Sequence, residues 1–272
     1  MPELPEVETI CRGLRPLVVG QRLTQVVVRC AALRWPVPIA PLQQFLPGRR
    51  LQQLARRGKY LLFHVEQGCL IAHLGMSGRL HWLPASLPPA RHDHVDLLFE
   101  GGRLLRYTDP RRFGALLWSS GPPEQHPLLV SLGPEPLEEG FTGHYLWQRA
   151  QNRRVAIKNF VMDSRIVVGV GNIYAAEALF HAAIFPARPA GSLSREGCQR
   201  LVNSIRVVLE SAIAKGGTTV RDFRHADGTH GLFQQELQVY GRQGEACPRC
   251  GNTLVTLQLG GRGSCCCPSC QH

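Results

Sequence analysis

Two cysteine pairs, C-P-R-C at residues 247–250 and C-P-S-C at residues 267–270, determine how the last part of this chain folds. Sixteen residues separate the pairs, a spacing typical of a four-thiolate zinc site. The run 253–259 between them alternates like a β-strand that folds the two pairs together. Because thiolates fill all four positions, we predict one structural zinc ion; redox cysteines are the alternative. The predicted ligands are Cys247, Cys250, Cys267 and Cys270.

The neighbouring Cys265 and Cys266 make the choice of the third ligand ambiguous. We prefer Cys267 because its spacing to Cys270 forms a CxxC knuckle, which leaves Cys265 and Cys266 as spare thiols. Six of the ten cysteines lie within residues 247–270, so the pattern is not that of a secreted disulfide framework.

The charge balance favours an anionic partner. The chain has 272 residues, enough for one large or two modest domains, with 31 Lys+Arg against 20 Asp+Glu and a net charge of +11. Nucleic acid is the first expectation and a membrane surface the second. No apolar run approaches the length of a membrane span and the acidic start is wrong for a signal peptide, so we predict a cytoplasmic protein.

The first six residues, M-P-E-L-P-E, can place chemistry at the amino terminus itself. Removal of Met1 would leave Pro2 as a secondary amine, and an α-amino group with a pKa of about 7.7–8.0 is partly neutral and nucleophilic near pH 7. Pro5 fits the first turn of a helix, which would hold Glu3 and Glu6 beside the amine. An ordinary helix start with solvated carboxylates is the alternative.

The rest of the chain divides into an extended half and a helical half. Short aliphatic and β-branched runs predict strands at residues 23–29, 60–65, 70–74, 95–99, 103–107 and 115–118. A Pro- and Gly-rich stretch at 121–143 resembles a linker, and after it Leu201, Ile205, Val208 and Ala212 repeat at helical spacing. We predict a multidomain α+β fold with an N-terminal β-sandwich and flanking helices. The expected domains are a catalytic domain at 1–130, a linker at 131–150, a helical domain at 151–234 and a zinc finger at 235–272.

Three short segments suggest contacts with DNA. The turn V-G-V-G at 168–171 should open a helix at about Asn172 and present free N–H groups to a phosphate, although a plain interhelical turn is as good an explanation. Arg111, Arg112 and Phe113 on one turn suit a wedge that enters a base stack, whereas a core Phe113 is the alternative. Met76 lies on a glycine-flanked tip, a poor place for a core residue.

Lysine usage adds a clue that depends on no motif. Only three of the 31 basic residues are lysines, Lys59, Lys158 and Lys215. In a chain that uses arginine so heavily, a remaining lysine is more often needed as a compact ammonium. This favours a functional role for Lys59 and Lys158, whereas Lys215 is explained by its position at the end of a helix.

These segments together closely resemble bacterial formamidopyrimidine-DNA glycosylase, of the formamidopyrimidine-DNA glycosylase/endonuclease VIII family. The matching stretches run from end to end: MPELPEVET, RRGKYLL, HLGMSG, HDHVDL, RYTDPRRFGA, LGPEPL, VVGVGNIYA, GGTT, QELQVYGR and the cysteine finger. The resemblance implies a bifunctional glycosylase/lyase of base excision repair with a helix–two-turn–helix domain. Its expected partner is duplex DNA containing oxidised purines or abasic sites, its only cofactor is zinc, and it acts as a monomer on the nucleoid.

The resemblance also assigns roles to individual residues. Pro2 matches the nucleophile that forms a Schiff base, Glu3 the general acid/base, Glu6 its supporting carboxylate and Lys59 the active-site lysine. Arg262 matches the phosphate-binding arginine of the finger hairpin, grouped here with the catalytic residues. The residues expected to bind DNA are Met76, His92, Arg111, Phe113, Arg153, Lys158, Asn172 and Arg221.

The sequence departs from the family pattern at a few positions. Arg221 stands where lysine is expected, Leu232 replaces an aromatic in the segment 227–233, and Cys265 and Cys266 occupy positions that usually carry aromatics. These changes bear on lesion preference rather than on the lyase chemistry.

Two other interpretations compete with this one. An endonuclease VIII-type enzyme would share the proline and prefer oxidised pyrimidines, but Leu4 and the full set of Met76, Arg111 and Phe113 argue against it. A non-catalytic zinc-finger protein would leave Glu3, Glu6 and Lys59 without a common task.

Overall fold

The computed structural model describes residues 2–217 and 236–272, which form two compact units. The first unit runs to Val130 and includes Gly216 and Gly217, and the second begins at Ser131. Arg221, Leu232 and the segment 227–233 lie outside the described residues. Among the described helices, none is long and apolar enough to cross a membrane.

The first unit is a β-sandwich with a long helix at its amino end. Helix α1 (Leu4–Val18) carries Pro5 in its first turn, as predicted, and α2 (Ile39–Phe45) follows the first strand. The strands are β1 (Leu23–Val28), β2 (Gln53–Arg57), β3 (Tyr60–Val65), β4 (Gly68–His73), β5 (Arg79–Pro84), β6 (Asp93–Phe99), β7 (Arg103–Thr108) and β8 (Ala115–Ser119). They form two antiparallel four-stranded sheets, in the orders β1-β6-β7-β5 and β2-β3-β4-β8.

The two sheets share one apolar core with α1. Leu54 and Leu61 from one sheet and Val95 and Leu105 from the other belong to the same buried cluster. The buried face of α1 joins it, with members spaced three and four residues apart: Val7, Ile10, Cys11, Leu14 and Val18. This packing fixes the position of the first turn of α1 relative to β2, because α1 is anchored on the core along its length.

Two strands were missed by the sequence patterns, β2 and β5. Both lie at the edges of their sheets. Strand β2, Q-L-A-R-R, fully buries only Leu54, so it lacks the run of apolar residues that identified the central strands. An edge strand with one buried position carries little periodic signal.

The second unit is helical up to Lys215. Its helices are α3 (Gly143–Ala150), α4 (Ile157–Val161), α5 (Asn172–His181) and α6 (Arg195–Ala214), with short 3-10 turns at Pro123–Gln125 in the first unit and Ala190–Ser192 in the second. Helix α5 begins at Asn172 and α6 ends just before Lys215, which confirms both predictions. The predicted linker 131–150 contains α3, whose Leu146 is fully buried. The domain boundaries taken from the sequence otherwise stay a proposal.

A hairpin of β9 (Val255–Leu259) and β10 (Arg262–Cys266) connects the two cysteine pairs. Residues 260 and 261 turn the chain between the strands, so Arg262 lies at the tip of the hairpin. The predicted finger strand within 253–259 is therefore present, and the hairpin brings its two ends together.

Candidate active site and DNA-contact residues

The amino end of α1 holds two buried carboxylates directly after Pro2. Pro2 is buried, and Glu3 and Glu6 are 3% and 0% exposed. The backbone N–H of Glu3 donates to Oε2 of Glu6 at 2.8 Å, so the second carboxylate holds the backbone beside the first. The two carboxylates are therefore buried rather than solvated, and the reciprocal bonds between Glu3 and Glu6 form a capping box at the start of α1.

Gly217 packs against this carboxylate pair. Its φ is +80°, a left-handed conformation, and a Cβ at this position would lie 2.9 Å from Oε1 of Glu6. A side chain would therefore meet both a strained backbone and the Glu6 carboxylate. Gly217, the second glycine of the GGTT segment, thus gives Glu6 the space it occupies.

Two hydrogen bonds connect α1 to the turn that carries Lys59. Nε of Arg56 donates to Oε2 of Glu8 at 2.7 Å, and Nη1 of Arg56 donates to the carbonyl of Gly58 at 3.0 Å. Burial acts to raise the pKa of Glu8, but the bonds from Arg56 and Arg12 outweigh it and hold that pKa below its usual value. Lys59 follows Gly58 in the two-residue loop between β2 and β3. The loop is therefore fixed relative to the first turns of α1.

His73 lies close to Lys59 at the end of the adjacent strand β4. Its ring contacts that of Tyr60 with centroids 4.8 Å apart, and its Nδ1 accepts the N–H of Gly75 at 2.9 Å. Burial, followed by the positive charges of Lys59 and Arg34, lowers the pKa of His73 to about 4. His73 is therefore a neutral ring that orients the start of the Met76 turn, and its role was missed by the sequence analysis.

The three predicted wedge residues lie on two turns that touch each other. Met76 and Phe113 are 40% and 44% exposed, so Phe113 is not a core residue. The guanidinium of the exposed Arg111 lies 4.7 Å from the Phe113 ring centroid. A Cβ on Gly75 would lie 2.4 Å from the backbone of Phe113, so only glycine allows the turns to approach this closely. His92 lies half-buried before β6, and its carbonyl accepts the N–H of Asp109 at 3.0 Å.

Lys158, predicted to contact DNA, is instead buried inside the second unit. The residue is 1% exposed, and its Nζ lies 2.7 Å from Oδ1 of Asn172, 3.1 Å from the carbonyl of Gly263 and 2.6 Å from Oγ of Ser264. An ammonium has three N–H donors, and here each has a protein oxygen within hydrogen-bond distance. This placement favours a role for Lys158 through Asn172 and the hairpin, and its direct contact with DNA stays a prediction from the sequence.

Asn172 and Arg262 are brought together by these bonds. Nδ2 of Asn172 also donates to the carbonyl of Gly263 at 3.2 Å, next to the exposed Arg262. The first turn of α5 and the tip of the finger hairpin thus place the Asn172 amide and the Arg262 guanidinium side by side, a combination that suits a phosphate. Arg153 is exposed in the loop between α3 and α4. Its expected contact with DNA therefore stays a prediction from the sequence.

The four predicted zinc ligands converge at the base of the hairpin. The Sγ atoms of all four lie within 4.8 Å of one another. The Sγ atoms of Cys247 and Cys270 are 3.9 Å apart and those of Cys250 and Cys267 are 3.5 Å apart. Thiolates bound to zinc at about 2.3 Å in a tetrahedron would be separated by about 3.8 Å, so the set fits the ion.

Cys265 and Cys266 do not belong to this cluster. Cys265 packs in an apolar cluster with Val239 and Leu254, and Cys266 is fully buried. Both side chains thus fill space that the resemblance assigned to aromatics. The choice of Cys267 as the ligand agrees with the geometry.

Three family models match the chain along most of its length. They are the formamidopyrimidine-DNA glycosylase N-terminal domain at residues 1–116, the H2TH domain of the same enzyme at 132–224, and the zinc finger found in FPG and IleRS at 244–272. Curated proteins named formamidopyrimidine-DNA glycosylase are similar over their whole length. The one from Magnetococcus marinus is 54% identical and the one from Stutzerimonas stutzeri 56% identical, each with 100% of both chains covered.

Solved structures agree with these matches. The MutM (Fpg) protein of Thermus thermophilus is 44% identical with a TM-score of 0.89, covering 99% of this chain and 98% of that one. The Lactococcus lactis Fpg bound to DNA with an abasic site is 34% identical with a TM-score of 0.91, covering 99% of both. A MutM complex with DNA containing carbocyclic 8-oxo-G is 35% identical with a TM-score of 0.90, covering 100% of both.

Fold, finger and amino-terminal site together define a DNA glycosylase with lyase activity. The chain belongs to the formamidopyrimidine-DNA glycosylase family. The family, the fold class and the structural zinc that were predicted from the sequence are confirmed.

Proposed function

We propose that this chain removes 8-oxoguanine and formamidopyrimidines from duplex DNA through the nitrogen of Pro2 and then cuts the strand by β,δ-elimination. The observation that carries the proposal is the buried pair of Glu3 and Glu6 at the start of α1, joined by the 2.8 Å bond from Glu3 N–H to Glu6 Oε2. Relatives with this family's name and complexes with abasic and 8-oxo-G DNA support the same activity.

The reaction begins once Met1 has been removed. An α-amino group has a pKa of about 7.7–8.0, so part of the Pro2 amine is neutral near pH 7 and can act as the nucleophile. Its nitrogen attacks C1′ of the damaged nucleotide, the glycosidic bond breaks and the base leaves with a proton supplied from Glu3. Glu6 holds the Glu3 backbone in place during this step, as its hydrogen bond requires.

The sugar ring then opens: the Pro2 nitrogen loses its proton, its lone pair breaks the C1′–O4′ bond, and O4′ leaves as a protonated hydroxyl. The iminium that results acts as the electron sink for strand cleavage. It acidifies C2′–H, loss of that proton expels the 3′ phosphate, and a second elimination expels the 5′ phosphate. Lys59, fixed in its loop through Arg56 and Gly58, is positioned as a compact ammonium for phosphate binding or proton transfer. No organic cofactor is required, because the electron sink is the protein's own amine.

Extrusion of the damaged base depends on exposed groups of both units. Met76, Arg111 and Phe113 fill the space that the base vacates, and His92 contacts the backbone nearby. Asn172, Arg153 and Arg262 bind phosphates, while Arg221 is proposed from the sequence alone. Lys158 acts through Asn172 and the hairpin rather than by touching DNA. We place the enzyme in the cytoplasm as a monomer acting on nucleoid DNA.

The experiment that tests this function compares two lesions in otherwise identical duplexes. Purified enzyme is assayed under single-turnover conditions on 8-oxoguanine opposite cytosine and on 5-hydroxycytosine opposite guanine. Faster excision of the purine, with products carrying phosphate at both ends of the gap, supports the proposal. Faster excision of the pyrimidine would instead indicate endonuclease VIII-type specificity. Binding to both lesion duplexes without cleavage of either would indicate a DNA-binding protein without enzymatic activity.

A further inference from the structure

Asp109 is a buried carboxylate that the proposed reaction does not use. Its residue is 0% exposed, although it directly precedes the Pro110-Arg111-Arg112-Phe113 turn. Three groups donate to its two oxygens. They are the hydroxyl of Ser77 to Oδ1 at 2.6 Å, and the N–H of Gly114 and the hydroxyl of Tyr107 to Oδ2 at 2.9 and 3.2 Å.

These donors come from both turns of the wedge. Ser77 follows Met76, and Gly114 follows Phe113. Ser77 also accepts the N–H of Arg111 through its Oγ at 3.2 Å, so the hydroxyl links Arg111 to the carboxylate. The carboxylate of Asp109 therefore connects the Met76 turn, through Ser77, to the Arg111–Phe113 turn, through Gly114.

The backbone of Asp109 extends the same connection. Its carbonyl accepts the N–H of Arg112 at 3.2 Å and faces Nε2 of His94 at 2.8 Å, and its N–H donates to the carbonyl of His92. Arg112 has a φ of 57°, an unusual value for a residue with a side chain. The Asp109 contacts hold this strained turn in its conformation, with Phe113 projecting outwards.

We propose that Asp109 is the positioning residue of the wedge, which sets Met76, Arg111 and Phe113 as one rigid group before DNA is bound. This inference rests on the proposed function of those three residues. Both oxygens of its side chain accept hydrogen bonds, so the site requires two acceptor atoms, which a carboxylate supplies and an amide does not. Because the wedge is already ordered in the free protein, the entropic cost of ordering its side chains on entering the duplex is smaller.

Three variants test this role. Asp109→Asn keeps the size of the side chain and removes one acceptor, and Ser77→Ala removes the link between the two turns. Ser119→Ala is the matched control, because it makes the same exchange as Ser77→Ala at a hydroxyl that donates to the carbonyl of Gly121 instead. Phe113→Ala serves as the reference for loss of the wedge itself.

Each variant is measured in three assays. The first is single-turnover excision of 8-oxoguanine from a duplex, which needs base extrusion. The second is strand cleavage at an abasic site in single-stranded DNA, which does not. The third is fluorescence of 2-aminopurine placed opposite a tetrahydrofuran abasic analogue, which reports disruption of the stack.

Asp109→Asn and Ser77→Ala should each slow duplex excision about tenfold or more and reduce the fluorescence change, with single-strand cleavage within about twofold of the parent. Ser119→Ala should match the parent in all three assays. If Asp109→Asn does not fold, Ser77→Ala alone decides the outcome.

Other results would overturn the proposal. Duplex excision within twofold of the parent in Ser77→Ala contradicts it, as do equal losses in the duplex and single-strand assays, or a Ser119→Ala variant as impaired as Asp109→Asn. Loss in Phe113→Ala without loss in Asp109→Asn removes this inference and leaves the proposed function standing. No loss in Phe113→Ala removes the wedge assignment as well.

Discussion

The ammonium of Lys158 and the amide oxygen of Asn172 are 2.7 Å apart, on neighbouring helices of the second unit. The same ammonium reaches the carbonyl of Gly263 and the hydroxyl of Ser264 in the finger hairpin. One buried lysine thus ties the start of α5 to the hairpin that carries Arg262. A buried charge is stable only when such partners surround it, so each group fixes the others.

This relationship predicts that Lys158 acts on DNA through Asn172. Lys158→Met should weaken binding to a non-cleavable lesion duplex about tenfold, because the loss of a charge-assisted hydrogen bond releases the Asn172 amide. In a double-mutant cycle, Lys158→Met combined with Asn172→Ala should bind little worse than Asn172→Ala alone. Lys215→Met, at a half-exposed lysine of the same unit, is the control. Additive losses in the cycle would instead indicate an independent contact of Lys158 with DNA.

The thiol choice in the finger is tested by metal content. Cys267→Ser should lose zinc and lower DNA affinity, because the hairpin and Arg262 lose their anchor. Cys265→Ser, two residues away and outside the cluster of Sγ atoms, should keep one zinc per chain. Elemental analysis of both purified variants distinguishes them. Full zinc in Cys267→Ser would show that a neighbouring thiol is the ligand.

The exposed ring of Phe113 predicts a loss of selectivity. Phe113→Ala should reduce discrimination between damaged and normal duplexes far more than it reduces overall binding, since arginine contacts supply the non-specific affinity. Leu87→Ala is the matched control, with an exposed fraction of 46% against 44% for Phe113. Binding to both duplexes is titrated at several salt concentrations. A changed salt dependence with unchanged selectivity would contradict the wedge role.

Lowering the pH should destabilise the first unit through His73. The folded protein keeps this ring neutral with a pKa of about 4, because it is buried and lies near Lys59 and Arg34. An unfolded histidine titrates at about 6.5, so the stabilisation is complete above that pH and is lost as the pH falls towards 4. The ring signals of His73 in an NMR titration should show a midpoint near 4. A midpoint near 6.5 would place the ring in solvent.

Local patterns in the sequence predicted most elements and missed contacts between distant residues. Short aliphatic and β-branched runs identified β3, β4, β6 and β7 because both faces of these strands are largely buried. Edge strands β2 and β5 had too few buried positions to be recognised. The start of α5 at Asn172 followed from the glycines before it.

In the candidate site, too, contacts between residues near in sequence could be predicted and contacts between distant residues could not. Pro2, Glu3 and Glu6 are adjacent in sequence, so their proximity could be predicted from the helix that they begin. The Lys158–Gly263 bond spans 105 residues, and no periodicity or spacing encodes it. Asp109 was visible only as part of a turn motif. Its role depends on Ser77, 32 residues away, which the tertiary fold alone brings within 2.6 Å.

The central claim is that the nitrogen of Pro2 is the nucleophile, and borohydride trapping tests it most directly. Enzyme with Met1 removed is incubated with 8-oxoguanine duplex and sodium borohydride, and the covalent adduct is mapped by mass spectrometry. The account predicts an adduct on the peptide that begins at Pro2 and its absence when a tag remains ahead of Pro2, because an acylated nitrogen has no usable lone pair. Strong trapping by the tagged chain, or an adduct mapped to Lys59, would contradict it.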